Sequence, residues 1–318
     1  MKQRRINKST MYDLKERNVR QNQQWMFWRT KNCKMSRKDV LFHYCNIESF
    51  ASIIKNASIW LSDVSKSNDY LECVLCRNKI KESIEKILAA DEKDLEAWKW
   101  GYDHGCKLNR EIYSYCVCFS ENCDQLSQWR GYANNGKGIA IGFDKNILDE
   151  LKTDDIYRIA FDSVIYDSKE QEDYIGEVVN ENLEKMRVKG IAHVGIELNT
   201  NYRLKFPFVK NPSFWEEGEW RIVVSAKPGS QRLEASDNIS FSEVRYRVAN
   251  DKLISYLEMD FSKIKQKIIK EIWIGPKSEV TVDDVVNFLY TYGYYDDVEE
   301  GFNANTPILV TKSNSSYR

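Results

Sequence analysis

Leu126-Ser-Gln-Trp-Arg-Gly-Tyr-Ala-Asn-Asn-Gly-Lys-Gly-Ile-Ala-Ile-Gly-Phe-Asp144 is the most informative stretch of the chain. Leu126, Trp129 and Ala133 recur at helical spacing. Asn134, Asn135 and Gly136 then break the chain. Ile139 to Phe143 is a short apolar run, as in a buried strand. The stretch predicts a short helix, a glycine turn and a strand. Ser127, Gln128, Trp129, Arg130 and Tyr132 fall on or next to the turn. A binding cleft uses such groups. A tight packing corner is the alternative, and the stretch alone does not choose between them.

Outward from this corner, short strands and helices interleave. Val40 to Tyr44 reads as a strand, and Asn46 as the N-cap of a helix from Ile47 to Lys55. Its apolar positions 47, 50, 53 and 54 share one face. Ile59 to Ser62 is a second strand, residues 70–100 are periodic and helical, and Tyr113 to Phe119 is a third strand. Further strands are expected at Tyr157 to Tyr166, Glu219 to Ser225, 242–248, 270–275 and Pro307 to Thr311, with helix over 168–200. Thr281 and Asp284 are spaced to cap a helix reaching Tyr290. No regular βαβ rhythm appears, so the expected class is α+β. The simplest organisation is a basic arm over 1–39 and one domain over 40–318, with a helical insertion over 74–110.

The 318 residues are ample for a buried core, and the hydrophobic fraction of 42% is ordinary for a globular protein. No run of 18 apolar residues occurs, so no spanning helix is expected. The first 20 residues are too polar for a secretion signal, which points to the cytoplasm. Residues 1–40 hold twelve basic against three acidic residues, a net of +9 that leaves −10 for the rest of a chain whose net is −1. With Trp25, Phe27 and Trp28 inside it, this arm can track a nucleic-acid backbone or dock on the acidic body. Eight cysteines fall at 33, 45, 73, 76, 106, 116, 118 and 123. Reduced thiols are expected in the cytosol. Cys73 and Cys76, followed by Cys116, Cys118 and Cys123, invite a zinc reading. Cys73 and Cys76 lie in an apolar helical run without a knuckle glycine, and Cys116 and Cys118 share one face of a strand, so structural thiols are favoured and no metal is assigned.

Three histidines occur, and no Ser/His/Asp elbow, His-x-x-x-His or P-loop, which argues against serine and metal hydrolysis. His43, beside Tyr44, ends an apolar strand where an imidazole can donate to a ligand hydroxyl or serve a structural role. Asn68 and Asp69 lie in a polar turn and can cap the next helix. Trp215-Glu-Glu-Gly-Glu-Trp-Arg221 is the most pointed carboxylate group. Glu219 and Arg221 share one face of a strand, Trp220, Ile222 and Val224 share the other, and Glu217 falls before the strand. A glutamate beside an arginine can hold a ribose hydroxyl and stabilise a developing cation, or form a strand-edge salt bridge in solvent.

Leu41-Phe-His-Tyr, Ile59-Trp-Leu-Ser-Asp, Ser67-Asn-Asp-Tyr-Leu-Glu, Cys118-Phe-Ser, Ser127-Gln-Trp-Arg-Gly-Tyr, Gly136-Lys-Gly-Ile-Ala-Ile-Gly-Phe, Glu219-Trp-Arg and Ile274-Gly-Pro-Lys together resemble the bacterial domain-of-unknown-function family 2971. With the closing Ser316-Tyr-Arg318, these motifs cover, in order, roughly residues 40–318. The opening, a strand-end histidine followed by a helix and a second short strand, resembles ADP-ribosyltransferase-like folds. That resemblance implies a split, mixed or antiparallel sheet with NAD bound in its cleft as a substrate. It implies His43, with Tyr44, against a ribose, Trp129 or Tyr132 stacked on nicotinamide, and Arg130 or Arg221 on the pyrophosphate. It implies Glu219 on the ribose 2′-hydroxyl as the nicotinamide–ribose bond breaks, with Ser127, Glu217, Asn68 and Asp69 as further candidates. The implied activity is ADP-ribosyl transfer or NAD hydrolysis, of the kind used by toxin and defence effectors, with protein, nucleic acid or water as acceptor. The Glu-x-Glu of this chain departs from the arginine-modifying pattern, because Glu217 precedes the strand. A non-catalytic nucleotide-binding or nucleic-acid-binding module is the alternative.

Overall fold

The structure, a computed structural model, describes residues 39–66, 70–87, 95–96, 99–100, 113–151, 159–189, 204–249, 251–295 and 308–317. The arm up to Lys38, Asn68, Asp69, Cys106 and most of the expected insertion lie outside these residues, as do the side chains of Cys73 and Cys76. Val40–Arg318 form one compact unit.

β1 (Val40–Cys45) runs into α1 (Ile47–Asn56), with the Asn46 side chain accepting from the Ser49 amide as the N-cap. β2 (Ser58–Asp63) follows, and α2 spans Tyr70–Ile87. β3 (Tyr113–Ser120) leads to α3 (Leu126–Tyr132), the asparagine–glycine turn, β4 (Ile139–Asp144) and α4 (Lys145–Asp149). β5 (Ile159–Ser163) and α5 (Ser168–Lys189) precede β6 (Glu219–Ala226). Two short strands, β7 (Leu233–Glu234) and β8 (Ser240–Phe241), lead to the hairpin of β9 (Arg245–Ala249) and β10 (Lys252–Asp260). β11 (Ile269–Ile274), α6 (Val282–Thr291) and β12 (Leu309–Lys312) complete the described elements. α6 begins with the expected capping box between Thr281 and Asp284.

Among the described residues, twelve strands join in one open sheet with a central order β12-β11-β4-β1-β3-β2-β10-β8-β7. All pairings are antiparallel except β11 with β12, so the sheet is mixed and the class is α+β. β3 is the branch point. One of its edges pairs with β6 along its whole length, from Tyr113↔Ala226 to Ser120↔Glu219. Its other edge is shared, with β1 at Phe42↔Ser120 and β2 at Ser62↔Cys116 and Asp63↔Tyr115. In the gap between these pairings the imidazole of His43 donates from Nδ1 to the Cys118 carbonyl at 2.9 Å, satisfying a backbone acceptor that lacks a strand partner there.

Alternation along each strand sorts side chains to two faces. On the first, Leu41, Cys45, Tyr115, Val117, Phe119, Ile222 and Val224 pack with Phe50, Ile53 and Ile54 of α1 and Val285 and Leu289 of α6. On the second, Trp129 of α3 is fully buried against Phe42, Tyr44, Ala140 and Trp273. Farther along the second face, Val223 packs with Leu204 and Phe208. The corner at Asn134–Gly138 is set by close backbone approach. A Cβ on Gly138 would lie 2.1 Å from the Cys45 carbonyl oxygen, so only glycine fits. Asn134, Asn135 and Gly136 take positive φ values of 47°, 56° and 85°, which asparagine and glycine tolerate best.

Candidate functional site

The second face of β3 and β6 carries a buried group of charges. Glu219 and Arg221 stand two residues apart on β6 and share that face, as their spacing requires. β6 lies between β3 and β5, so the pair is interior and not the solvent-exposed strand-edge bridge weighed from the sequence. Both residues are more than nine-tenths buried. Arg221 Nε and a terminal nitrogen each approach one Glu219 oxygen at 2.8 Å, a bidentate fork. Arg221 also donates to the Pro207 carbonyl.

Lys210 inserts its ammonium between two carboxylates, 2.5 Å from Glu217 Oε2 and 3.0 Å from Glu219 Oε2. Two cations and two anions thus balance. That balance is what makes burial tolerable, because an unpaired ion here would cost several kcal/mol. Glu217 ends the 3-10 turn Pro212–Glu217, which Asn211 caps by accepting from the Ser213 amide. Gly218, at φ 48°, then turns the chain into β6. Glu217 therefore precedes the strand, as its position in the sequence suggests.

Tyr132, the last residue of α3, donates its hydroxyl to Glu217 Oε1 at 3.0 Å while half of the residue stays exposed. Burial of that hydroxyl, with the charges of Glu217 and Glu219 adding to it and Lys210 opposing, raises the phenol pKa, so it stays a protonated donor. From the other side, the Tyr166 hydroxyl accepts from the Glu219 amide at 3.1 Å. Burial disfavours the Glu219 carboxylate. The charge and hydrogen bonds of Arg221 and the charge of Lys210 outweigh that effect, and its pKa is held down to about 2.

The acceptor positions on the two carboxylates differ in a way that bears on chemistry. A carboxylate offers about four lone-pair sites. Two Arg221 donors and Lys210 engage Glu219. Glu217 takes one bond on each oxygen, from Tyr132 and Lys210, and has acceptor capacity to spare. Phe214, whose ring lies 5.0 Å from the Lys210 ammonium, and Trp215 belong to the same turn and are 40% and 67% exposed, an aromatic rim on the segment that ends in Glu217.

Several expected roles do not survive this geometry. Trp129 is fully buried with its indole nitrogen donating to Asp124 at 2.7 Å, so it cannot stack on a ligand ring. Tyr44 is buried beside Trp129 and donates to the Asn122 carbonyl at 2.7 Å. Arg221 is committed to Glu219 and is no pyrophosphate ligand. Leu126 is 40% exposed although its spacing implies burial. His43 alternates with Leu41 and Cys45 and meets Phe119 edge-to-face at 6.1 Å, so it looks into the first face, opposite Glu219 and Tyr132. Burial lowers its pKa, against the hydrogen bond to Cys118, and favours a neutral ring. Ser127 and Arg130 remain on the exposed side of α3. Arg130 lies 6.0 Å from the Tyr317 ring.

Of the residues that complete the cluster, sequence reasoning misses Lys210 and Tyr166. A signal existed for the first. Phe206-Pro-Phe-Val-Lys-Asn-Pro212 sets one charge inside an apolar, proline-bounded stretch, and such a lysine is buried only when paired. Cys116 and Cys118 share a face as expected, with their sulfurs 3.9 Å apart. No group of three or more metal-ligating side chains occurs among the described residues. A shallow recess lined by Arg232, Ser240, Asp260 and Lys263 shares no residue with the cluster.

Residues 128–222 match the family model of DUF2971, protein of unknown function. The resemblance to that family holds over this segment. The DUF2971 segment holds Tyr132, Tyr166, Lys210, Glu217, Glu219 and Arg221, and His43 lies outside it. The family match and the buried charge cluster thus fall on the same part of the chain. No curated protein and no solved structure matches the chain. No described helix is long and apolar enough to cross a membrane.

Proposed function

We propose that the Tyr132–Glu217 side of the cluster binds NAD and that the protein, acting in the cytoplasm, cleaves the nicotinamide–ribose bond in the manner of ADP-ribosyltransferases. The observation that carries this reading is that Tyr132, half-exposed as a residue, holds its hydroxyl 3.0 Å from a buried carboxylate. A planar cationic ring suits an aromatic rim next to an anion. Glu217 has acceptor capacity for a ribose hydroxyl, and Arg130 is an exposed cation on the same helix for the pyrophosphate.

Nicotinamide leaves neutral from a cationic bond, so no strong acid is needed. An anion beside the electron-poor ribose carbon lowers the barrier by opposing the positive charge that develops there. Here Glu217 takes the role that sequence reasoning gives to Glu219, and Glu219 with Arg221 anchors Lys210. The acceptor is a protein, a nucleic acid or water, whose attack restores a neutral ribose carbon after loss of its proton.

A second reading, nucleotide binding without bond cleavage, draws on the 2.5 Å contact of Lys210 with Glu217, which neutralises much of the needed anion. Titration calorimetry with NAD, run beside an assay for free nicotinamide, separates the two. Binding with release that Glu217→Gln abolishes supports cleavage. Binding without release supports the second reading. Absence of both defeats the site assignment.

A further inference from the structure

Cys116 and Cys118 are half-buried, lie on the second face of β3 and keep their sulfurs 3.9 Å apart. Residues two apart on an extended strand have Cα atoms roughly 6.6 Å from each other. A disulfide needs Cβ atoms within about 4.5 Å, so closing a bridge between these sulfurs requires the backbone at Val117 to buckle and draw the two residues together. β6 pairs with this part of β3 along one edge, and the ladder on the other edge is interrupted. On the edge shared by β1 and β2, β3 has strand partners at Ser120, Cys116 and Tyr115 but the His43 imidazole at Cys118. Cys118 stands opposite Arg221 in the register with β6.

We propose that Cys116 and Cys118 form a redox-active dithiol, converted to an intrastrand disulfide by exchange with a low-molecular-weight disulfide, RSSR. One protein sulfur, as thiolate, attacks RSSR and expels RS⁻, which takes up a proton to become RSH. The second protein thiol gives its proton to solvent and displaces the remaining RS group as a second RSH. The protein pair is oxidised by two electrons, RSSR is reduced, and two protein protons end on two RSH molecules. Buckling of β3 at Cys118 disturbs the strand opposite Arg221, so oxidation is read by the buried charge cluster. This inference is independent of what binds beside Tyr132.

The test uses the full chain carrying Cys123→Ala, in which the tryptic peptide 111–130 holds Cys116 and Cys118 as its only cysteines. After oxidised glutathione and an alkylating reagent, that peptide should appear two hydrogens lighter, unalkylated and unlinked to any other. Two alkylated thiols, a persistent glutathione adduct or a link to another peptide would overturn the proposal. A second measurement uses the otherwise native chain. Its melting temperature should fall on oxidation. Cys118→Ser keeps a small polar side chain but cannot bridge, so its melting temperature should stay in place on oxidation. An equal fall in both proteins would also overturn the proposal.

Discussion

Arg221 holds both oxygens of Glu219, its neighbour two residues back on β6, with two nitrogens at 2.8 Å. The fork is made within one strand face, and it is buried only because Lys210 and Glu217 complete the charge balance.

Removing one member should therefore cost more than removing an ion pair whole. Arg221→Met is expected to destabilise by about 3–5 kcal/mol, since Glu219 then keeps Lys210 as its sole cation while Lys210 also serves Glu217. The double variant Glu219→Met with Arg221→Met should recover part of that loss. Urea unfolding midpoints measure both, and a double variant worse than either single one would contradict the balance described.

The same pair sets an acid limit. Glu219 has a folded pKa of about 2 against an ordinary value of 4.5, so its contribution is fully present above about pH 4.5 and is lost as pH falls toward about 2. Unfolding free energy should drop across that window. The drop should be smaller in Glu219→Gln, and equal slopes in the two proteins would remove Glu219 as the cause.

Two glycines around the corner should respond in opposite directions. Gly138→Ala places a Cβ 2.1 Å from the Cys45 carbonyl oxygen and 3.0 Å from Ala133, a clash with backbone that should cost at least about 2 kcal/mol. Gly131, inside α3, has nothing within 4 Å of its built Cβ, so Gly131→Ala should stabilise by up to about 1 kcal/mol through helix propensity. Thermal melts of the two variants check the contrast.

His43 and Tyr132 give a functional contrast. His43→Ala strips the donor from the Cys118 carbonyl and should cost roughly 1–2 kcal/mol of stability with NAD affinity unchanged, because the ring looks into the opposite face. Tyr132→Phe should change stability by no more than about 1 kcal/mol and weaken NAD binding several-fold. Calorimetric affinities that fall with His43→Ala would return the histidine to the site.

Much of the local structure is legible in the residues. The Asn46 cap, the Thr281–Asp284 box and the helix–turn–strand corner rest on short-range chemistry, and each forms as its spacing predicts. The shared face of Glu219 and Arg221 follows from strand periodicity alone. Periodicity does not say which face of one strand meets which face of another. That is why His43 reads as a partner of Glu219 in the sequence and stands across the sheet from it in space. Lys210 and Tyr166 join through the fold of irregular segments, where no period exists to be read. β10 goes unread because its outer positions, Ile254 and Tyr256, are only half-buried and blur the alternation with Ser255, Leu257 and Met259.

Lys210, Glu217, Glu219 and Arg221 bond across separations of only two to nine residues, whereas Tyr132 and Tyr166 reach the same two glutamates across 85 and 53 residues. The four charges can therefore pair within one short segment, and the two tyrosines close the long loops that seal them. Long-range contacts are slower to form than local ones. The tyrosine bonds should then consolidate after the main folding barrier, with Tyr132 showing a φ-value near zero in refolding kinetics. Variants at Tyr132 would speed unfolding and leave the folding rate nearly untouched, making the seal over this neutral knot of charge a determinant of the protein's lifetime in the folded state.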